Sequence, residues 1–488
     1  MVNAHNASSR THRIFRLALS ALFVFSVVLV TSQRAYKVSP VHAATNWTGG
    51  SAPGSGKAPW ETFSGNVNIA NGNLMVVASG LSISGVNSFD EVISPTYNSI
   101  SSSKATDMGN GWILGTGRDV GLDLNTSGSA RFYDPTGHGY TFAVPSSCTF
   151  TPPAGVDAQL ACSGSNYTLT YNASGLQYLF DSGGNLTVVQ NRQGNQITFA
   201  YNTGGLLTQI TNTEGQVTTI SYDAQNRISQ ITSPGSPGRT WTYGYDASNN
   251  LSQVTDPNNH TTTYGYDANS HLTKITDPLG NVTNISYNAS NRVSQIVQVT
   301  NPGAGTGPTT SFTYNTGSTQ VTDANNHTTT YAYDSSNRVT AVTDALNHTT
   351  QTTWTADNHV ATMQLPSGAT TTYSYDANNN LTQVTSPTGV TKTLQYGDSS
   401  HPYLPTSVTD DRGNTTTTQY NSQGLPTSVA NALNHTTTTA YNANGTVASV
   451  TDANNHQTSY TYNSLVRPVL LKSATGHVEE AAEERPMS

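Results

Sequence analysis

Charge is scarce in this sequence: Asp, Glu, Lys and Arg make up only 10% of its 488 residues. Globular chains carry about a quarter, and chains kept unfolded by self-repulsion carry a higher net charge, so the usual disordered chain is excluded. Hydrophobic residues are also few, at 34%. No Lys/Arg cluster is present outside the N-terminus. The first 43 residues hold five bases (Arg10, Arg13, Arg16, Arg34, Lys37) and no acid, which leaves a net charge of −13 on the remainder. That sign excludes nucleic acid as a partner and argues against binding to anionic membranes.

Long apolar runs are absent apart from Leu17–Val30, whose 14 residues fall short of the roughly 20 that span a bilayer. Bases precede the run, and Val41-His42-Ala43 follows it before Ala44. This layout predicts a signal peptide over 1–43, cleaved between Ala43 and Ala44. An uncleaved anchor is the alternative, and both export the rest to the exterior or the cell surface. Cysteine is limited to Cys148 and Cys162. In an oxidising compartment the two can form a disulfide, whose closure of about 15 residues contributes roughly 3 kcal/mol in the chain-entropy model; two free thiols are the alternative.

Catalytic and cofactor signatures are missing as well. Gly-x-Ser-x-Gly, His-Glu-x-x-His and Cys-x-x-Cys do not occur, and Gly115–Gly121 has the wrong spacing for a dinucleotide loop. Asp376–Asn380 opens like a calcium loop but has Pro387 where the bidentate Glu belongs. Ser, His and Asp are so abundant that a triad could be drawn anywhere, so none is assigned. No catalytic residue, cofactor or metal site is expected, and the protein is read as a non-enzyme.

What is abundant is Thr, Ser, Asn and Gly, with 25 Tyr against 11 Phe. Thr and Tyr suit half-buried pleated surfaces, and Asn and Gly suit tight turns. Aromatic residues, mostly followed by Asp or Asn, recur at Phe180, Tyr201, Tyr222, Tyr245, Tyr266, Tyr287, Tyr314, Tyr333, Trp354, Tyr375, Tyr396, Tyr420, Tyr441 and Tyr462. Nine of the thirteen intervals are 21 residues. Such a period marks one supersecondary unit copied many times.

Each unit holds two turns. The first follows the Tyr-Asp pair, and its fifth position is Gly205, Asn226, Asn249, Ser270, Asn291, Asn337, Asn379, Gly424 or Gly445, residues that tolerate positive φ. The second, as in Asp256-Pro257-Asn258-Asn259, has the signature of a type I turn. Two strands of five or six residues remain per unit. Tyr264 and Tyr266 share a face, whereas Leu251 and Val254, three apart, do not unless a bulge intervenes or both faces are covered. Stacked hairpins would bury the aromatic face continuously. The repeat tyrosines (Tyr201, Tyr222, Tyr245, Tyr266, Tyr287, Tyr333, Tyr375, Tyr420, Tyr441) are therefore expected in the core. Histidines at one turn position (His260, His327, His348, His435, His456) are read as solvated turn residues, because Asn281, Val390 or Asn414 replace them elsewhere.

Tyr333-Asp334-Ser335-Ser336-Asn337-Arg338-Val339 and Ile275-Thr276-Asp277-Pro278-Leu279-Gly280 resemble the YD repeats of bacterial Rhs and wall-associated proteins and of teneurins. The resemblance covers about 180–463 and implies an all-β sheet spiralling into a shell, which in toxin-associated relatives encloses a C-terminal cargo. More loosely, 62–170 resembles the β-rich region preceding such repeats, through Pro95–Ser99, Gly109–Trp112 and Arg131–Gly137. The expected organisation is a signal peptide (1–43), a flexible linker (44–61), this β-rich region (62–170), the YD array (171–463) and an acidic tail (464–488). The family's Arg-Tyr-Tyr-Asp-Pro-like core is absent, and Val466 breaks the turn pattern. A truncation, a frameshift or a short tail would each look like this, and an unpaired edge is expected near Ser459–Tyr462. The leading functional expectation is a secreted, non-catalytic shell or scaffold whose partner is a downstream toxin or a shell-completing polypeptide. An adhesion module binding surface glycans through its Tyr-, Asn- and Thr-rich face is the second.

Overall fold

Thr-rich strands and Asn/Gly turns alternate without interruption, and the chain folds accordingly. The computed structural model describes residues 60–124, 129–143, 148–463, 468–472 and 478–480, all within the compact unit His42–Ser488. The expected signal peptide, with its expected cleavage site at Ala43 and Ala44, lies outside the described residues. Among those described there is no α-helix, only strands and three short 3-10 turns. The architecture is all-β, as the composition predicts.

One antiparallel sheet of 32 strands runs from Thr149–Phe150 to Val478–Glu480, each strand pairing with the next in sequence. Most of the turns are built alike. In 246–250, Asp246 N–H donates to Asn250 O at 2.9 Å and Asn249 N–H donates to Asp246 O at 3.2 Å. The Asp246 carboxylate accepts the N–H groups of Ser248 and Asn250, both at 2.9 Å. The same frame recurs at 256–260. An Asp or Asn side chain thus satisfies backbone donors that the hairpin leaves open. The fifth position of every first turn named above has positive φ, from 58° at Asn291 to 83° at Gly445.

The three-residue spacing of Leu251 and Val254 is a bulge. Tyr243 pairs with Val254 and Gly244 with Gln253, but Tyr245 pairs with Leu251. Ser252 is therefore the extra residue, and both apolar side chains reach the inner face, where Leu251 is 0% and Val254 2% exposed. The shift repeats in nearly every unit.

Three domain expectations need revision. Ala158–Ser163 and Asn166–Tyr171 already belong to the long ladder, so residue 170 is no boundary in the sheet. Trp60, inside the expected linker, packs on the core beside Gly155. The tail is not strandless: Pro468–Lys472 pairs with Gln457–Tyr462, and Val478–Glu480 pairs with Pro468–Lys472. Val466 departs from the motif, but Val469, Leu470 and Leu471 restore strand-forming residues beyond it. The ladder therefore passes the edge expected at Ser459–Tyr462.

Candidate functional site

The repeat tyrosines line the inner face, and their hydroxyls are committed. Tyr266 Oη donates to Leu251 O at 2.7 Å; Tyr222 does so to Leu207 O at 2.8 Å, Tyr375 to Val360 O at 3.0 Å and Tyr441 to Pro426 O at 2.9 Å. Tyr201, Tyr245, Tyr287 and Tyr420 bond the carbonyls of Leu186, Ile228, Leu272 and Pro405. Except at Pro405, which precedes its strand, the accepting residue stands at the bulge, where the ladder is interrupted, so the phenol supplies the donor that the neighbouring strand does not. Trp354, which replaces Tyr in its repeat, donates its indole N–H to Val339 O at 2.8 Å. Tyr333 departs: it follows a shortened repeat, and its hydroxyl stands 3.5 Å from Thr319 Oγ1. Burial pushes the Tyr375, Tyr420 and Tyr441 phenols up to about 12, and raises that of Tyr266 well above its ordinary value. These rings are not offered outward, so the tyrosine sugar platform behind the glycan expectation is not formed.

Short strands between Val67–Asn68 and Ser129–Tyr133 form small sheets that pack on this inner face. Trp112, fully buried, donates to Tyr266 Oη at 2.7 Å, and its ring lies 5.0 Å from that of Tyr264. Tyr97 Oη donates to Ser270 O and accepts from Leu272 N–H, each at 3.0 Å. Backbone bonds add Ile228 N–H to Asp107 O at 2.7 Å, Asn110 N–H to Asn249 O at 2.8 Å and Val293 N–H to Gly72 O at 3.1 Å. Sequence reasoning singled out the Tyr97 and Trp112 segments only as a resemblance and missed that they clamp the first-turn tips.

The sheet also returns on itself. Gln193 Nε2 donates to Gln423 O at 3.2 Å, across 230 residues, and Asn195 Nδ2 donates to Asn444 O at 3.0 Å. Earlier in the seam, Asp157 accepts from Asn379 Nδ2 at 3.0 Å and faces His359 Nε2 at 3.1 Å. The Asp157 hydrogen bond raises the pKa of His359 above its ordinary value. Second-turn tips of one winding thus carry first-turn tips of the next.

Comparison with known families follows the same boundaries. The RHS Repeat model matches residues 180–216, 201–237, 236–261 and 245–282, and the Teneurin YD-shell model matches 280–463. The matches run unbroken through the array. The chain belongs to the YD/Rhs-repeat family. As a YD-repeat protein it is a structural, shell-like scaffold. It is 30% identical over 139 residues to the tRNA nuclease WapA of Bacillus subtilis strain 168, a stretch that is 28% of this chain and 6% of that protein. The tRNA(Glu)-specific nuclease WapA of B. subtilis subsp. natto matches equally. Among solved structures, the Photorhabdus luminescens Tc holotoxin pore is similar at 9% identity and a TM-score of 0.44, covering 82% of this chain and 24% of that one. A TcdB2-TccC3-Cdc42 complex is similar at 9% identity and 0.43, covering 82% and 25%. This chain therefore spans about a quarter of those toxin chains and a far smaller part of the nucleases.

The turn histidines and the calcium-loop-like Asp376 of the YD-repeat protein are occupied within their own turns. His260, His327, His348 and His456 are exposed, each with Nδ1 3.1–3.3 Å from the Asp four residues earlier. Asp376 accepts from Asn378 N–H, Asn380 N–H and Asn380 Nδ2. Cys148 and Cys162 stand at neighbouring register, with Cα atoms 5.3 Å apart and Cys162 N–H donating to Cys148 O at 2.9 Å. That separation lies within disulfide range.

Proposed function

We propose that this protein is a secreted or cell-surface wall segment of a toxin-associated shell, without catalysis of its own, whose partner is a toxin or a polypeptide that completes the shell. The observation that carries the reading is the seam in which Gln423 and Asn444 seat on Gln193 and Asn195. A sheet held in successive windings can enclose what lies against its inner face; an open sheet cannot. The non-catalytic role is supported by the commitment of tyrosine hydroxyls and turn carboxylates to backbone groups. Export is supported by the basic, apolar and small-residue order of residues 10–44, and the cysteine pair suits an oxidising compartment.

Site-directed labelling tests the enclosure. Met363, in register with Thr371, lies on the inner face; Thr372, its neighbour across the pleat, is exposed outside. Met363→Cys should react with a small maleimide but resist a bulky polymer-linked one, while Thr372→Cys reacts with both. Equal access of the bulky reagent to both positions contradicts enclosure.

A second reading, adhesion to glycans, now rests on the outward face alone. Thr372, Ser374, Thr417, Gln419 and Thr438 are exposed and uncharged, and offer hydroxyls or amides. Binding on a glycan array that is lost in Thr372→Val/Thr417→Val/Thr438→Val would favour it.

A further inference from the structure

Five turn histidines bond inside their own turns, and His359 does not. His260, His271, His327, His348 and His456 each hold Nδ1 3.0–3.3 Å from the Asp four residues earlier. In the turn 355–359 that position is Thr355, whose Oγ1 accepts the His359 N–H at 3.1 Å but offers the ring no carboxylate. The ring reaches another winding instead: its Nε2 lies 3.1 Å from Asp157 Oδ2, 202 residues away. Around this pair, Asn358 Nδ2 donates to Ala154 O and Asn379 Nδ2 to Asp157 Oδ1, each at 3.0 Å, and Gly155 packs against Trp60 and Asn358.

The other groups around the ring leave its charge to Asp157 and Asp357. Asp357, in its own turn, supplies a carboxylate and a carbonyl oxygen, both of which favour the charged ring. The Tyr375 ring lies 5.0 Å away. Arg338, from the preceding first-turn tip, spends Nη1 on Thr355 O and Asn358 Oδ1 and Nε on Asp334. Asp376, in the following tip, accepts from Asn378 and Asn380 of its own turn. Only an imidazolium donates from both ring nitrogens at once, so the protonated ring alone serves the oxygens of Asp157 and Asp357 together.

We infer that the His359–Asp157 pair is an acid-closed latch on the seam: protonated, His359 fastens the tips at 355–359 and 376–380 to residues 154–157, and losing that proton loosens them. The amide contacts of Gln193 and Asn195 further along the seam do not take part. The latch adds regulation to the shell reading and rests on it for the enclosure that the seam maintains. The Asp157 bond, against the cost of burial, holds the His359 pKa above its ordinary value of about 6.5. Burial opposes ionisation of Asp157, but His359 and Asn379 hold its carboxyl below the usual range, so it stays charged while His359 titrates. The latch is therefore at full strength below about pH 6.5 and is lost as pH rises through the folded value of His359.

The test uses the full chain, native cysteines kept oxidised, with spin labels at Gln159→Cys and Ala356→Cys, exposed positions on either side of the seam. Pulsed dipolar spectra are taken at about pH 5.5 and about pH 8.5, in urea below the onset of unfolding. A narrow, short distribution is expected at the lower pH. At the higher pH a longer, broader component should grow severalfold, since each unit by which the folded pKa exceeds the unfolded one is about tenfold in the closing equilibrium. His359→Gln, which keeps an amide donor but cannot be charged, should make the two spectra alike. A magnetic resonance titration of the His359 ring gives a second reading: its midpoint should fall toward the ordinary value in Asp157→Asn. Short distances at both pH values, a pH dependence unchanged in His359→Gln, or a midpoint unmoved by Asp157→Asn each overturn the latch and leave the enclosure read by Met363→Cys untouched. Long distances at both pH values remove the seam itself, and the shell reading with it.

Discussion

Tyr266 Oη donates a 2.7 Å hydrogen bond to the carbonyl of Leu251 and accepts one of 2.7 Å from Trp112 Nε1. One phenol therefore joins three things: its own strand, the bulge of the preceding hairpin, and the N-terminal sheets. Tyr266→Phe keeps the ring but leaves a buried carbonyl and an indole N–H unpaired, which should cost about 1–3 kcal/mol for each group left unsatisfied. Tyr266→Ala should cost roughly 3–5 kcal/mol, as for other buried aromatics. Hydrogen exchange should report the loss first at Leu251–Thr255 and Thr261–Tyr266, and only later in distant repeats. Exchange equal to wild type in Tyr266→Phe contradicts the role given to the hydroxyl.

The left-handed turn positions give a prediction of unequal effects from two substitutions at one site. Asn291 has φ 58°. Asn291→Gly should be nearly neutral, whereas Asn291→Val should destabilise by about 1–2 kcal/mol, because a β-branched residue is strained at positive φ. Urea unfolding of the two variants decides it; equal midpoints contradict the backbone assignment.

Much of this was legible in the sequence, because it is local. The 21-residue period, both turns and the positive-φ positions each depend on residues a few places apart. The hydroxyl role left a trace that was readable but unread: Tyr outnumbers Phe 25 to 11, and Trp354, the substitute, also carries a donor. The spiral seam left no such trace, since Gln193 and Gln423 are ordinary turn residues whose meeting depends on curvature summed over 230 residues. The tail strands were not legible from the motif, because Val466 lacks the Gly or Asn of the turn while the strand-forming Val469, Leu470 and Leu471 carry no repeat signature.

Glu91 provides a pH dependence. It is 2% exposed on Glu91–Ile93, and burial pushes its carboxyl up to about 7, the nearby Thr218 hydroxyl opposing the shift only weakly. A carboxyl whose folded pKa exceeds its unfolded value of about 4.3 costs nothing below that pH, and its cost grows until the folded pKa is passed. Wild-type stability should therefore fall between pH 5 and pH 7, and Glu91→Gln should flatten the decline. Turn aspartates such as Asp323, held below the usual carboxylate range by the N–H of His327, act only at more acid pH. Parallel wild-type and variant profiles of melting temperature against pH contradict this assignment.

Cys148 and Cys162 should be joined in exported protein, given their 5.3 Å Cα separation. Mass spectrometry without reductant should find a mass two hydrogens below that of the dithiol and no alkylatable thiol. Cys148→Ser/Cys162→Ser should lose roughly 3 kcal/mol in the loop-entropy model. Two alkylatable thiols in native protein contradict the pairing.

The central claim is that the sheet winds back on itself, and one distance tests it. Spin labels at Gln193→Cys and Gln423→Cys report that distance directly by pulsed dipolar spectroscopy. About twenty strand spacings separate the two tips along the ladder, so an unwound sheet would hold them roughly 100 Å apart, whereas the seam predicts less than about 25 Å between labels. A narrow distribution at the short distance is the predicted result. A distribution centred far beyond it, with the strand content intact, would contradict the winding and the shell wall built on it.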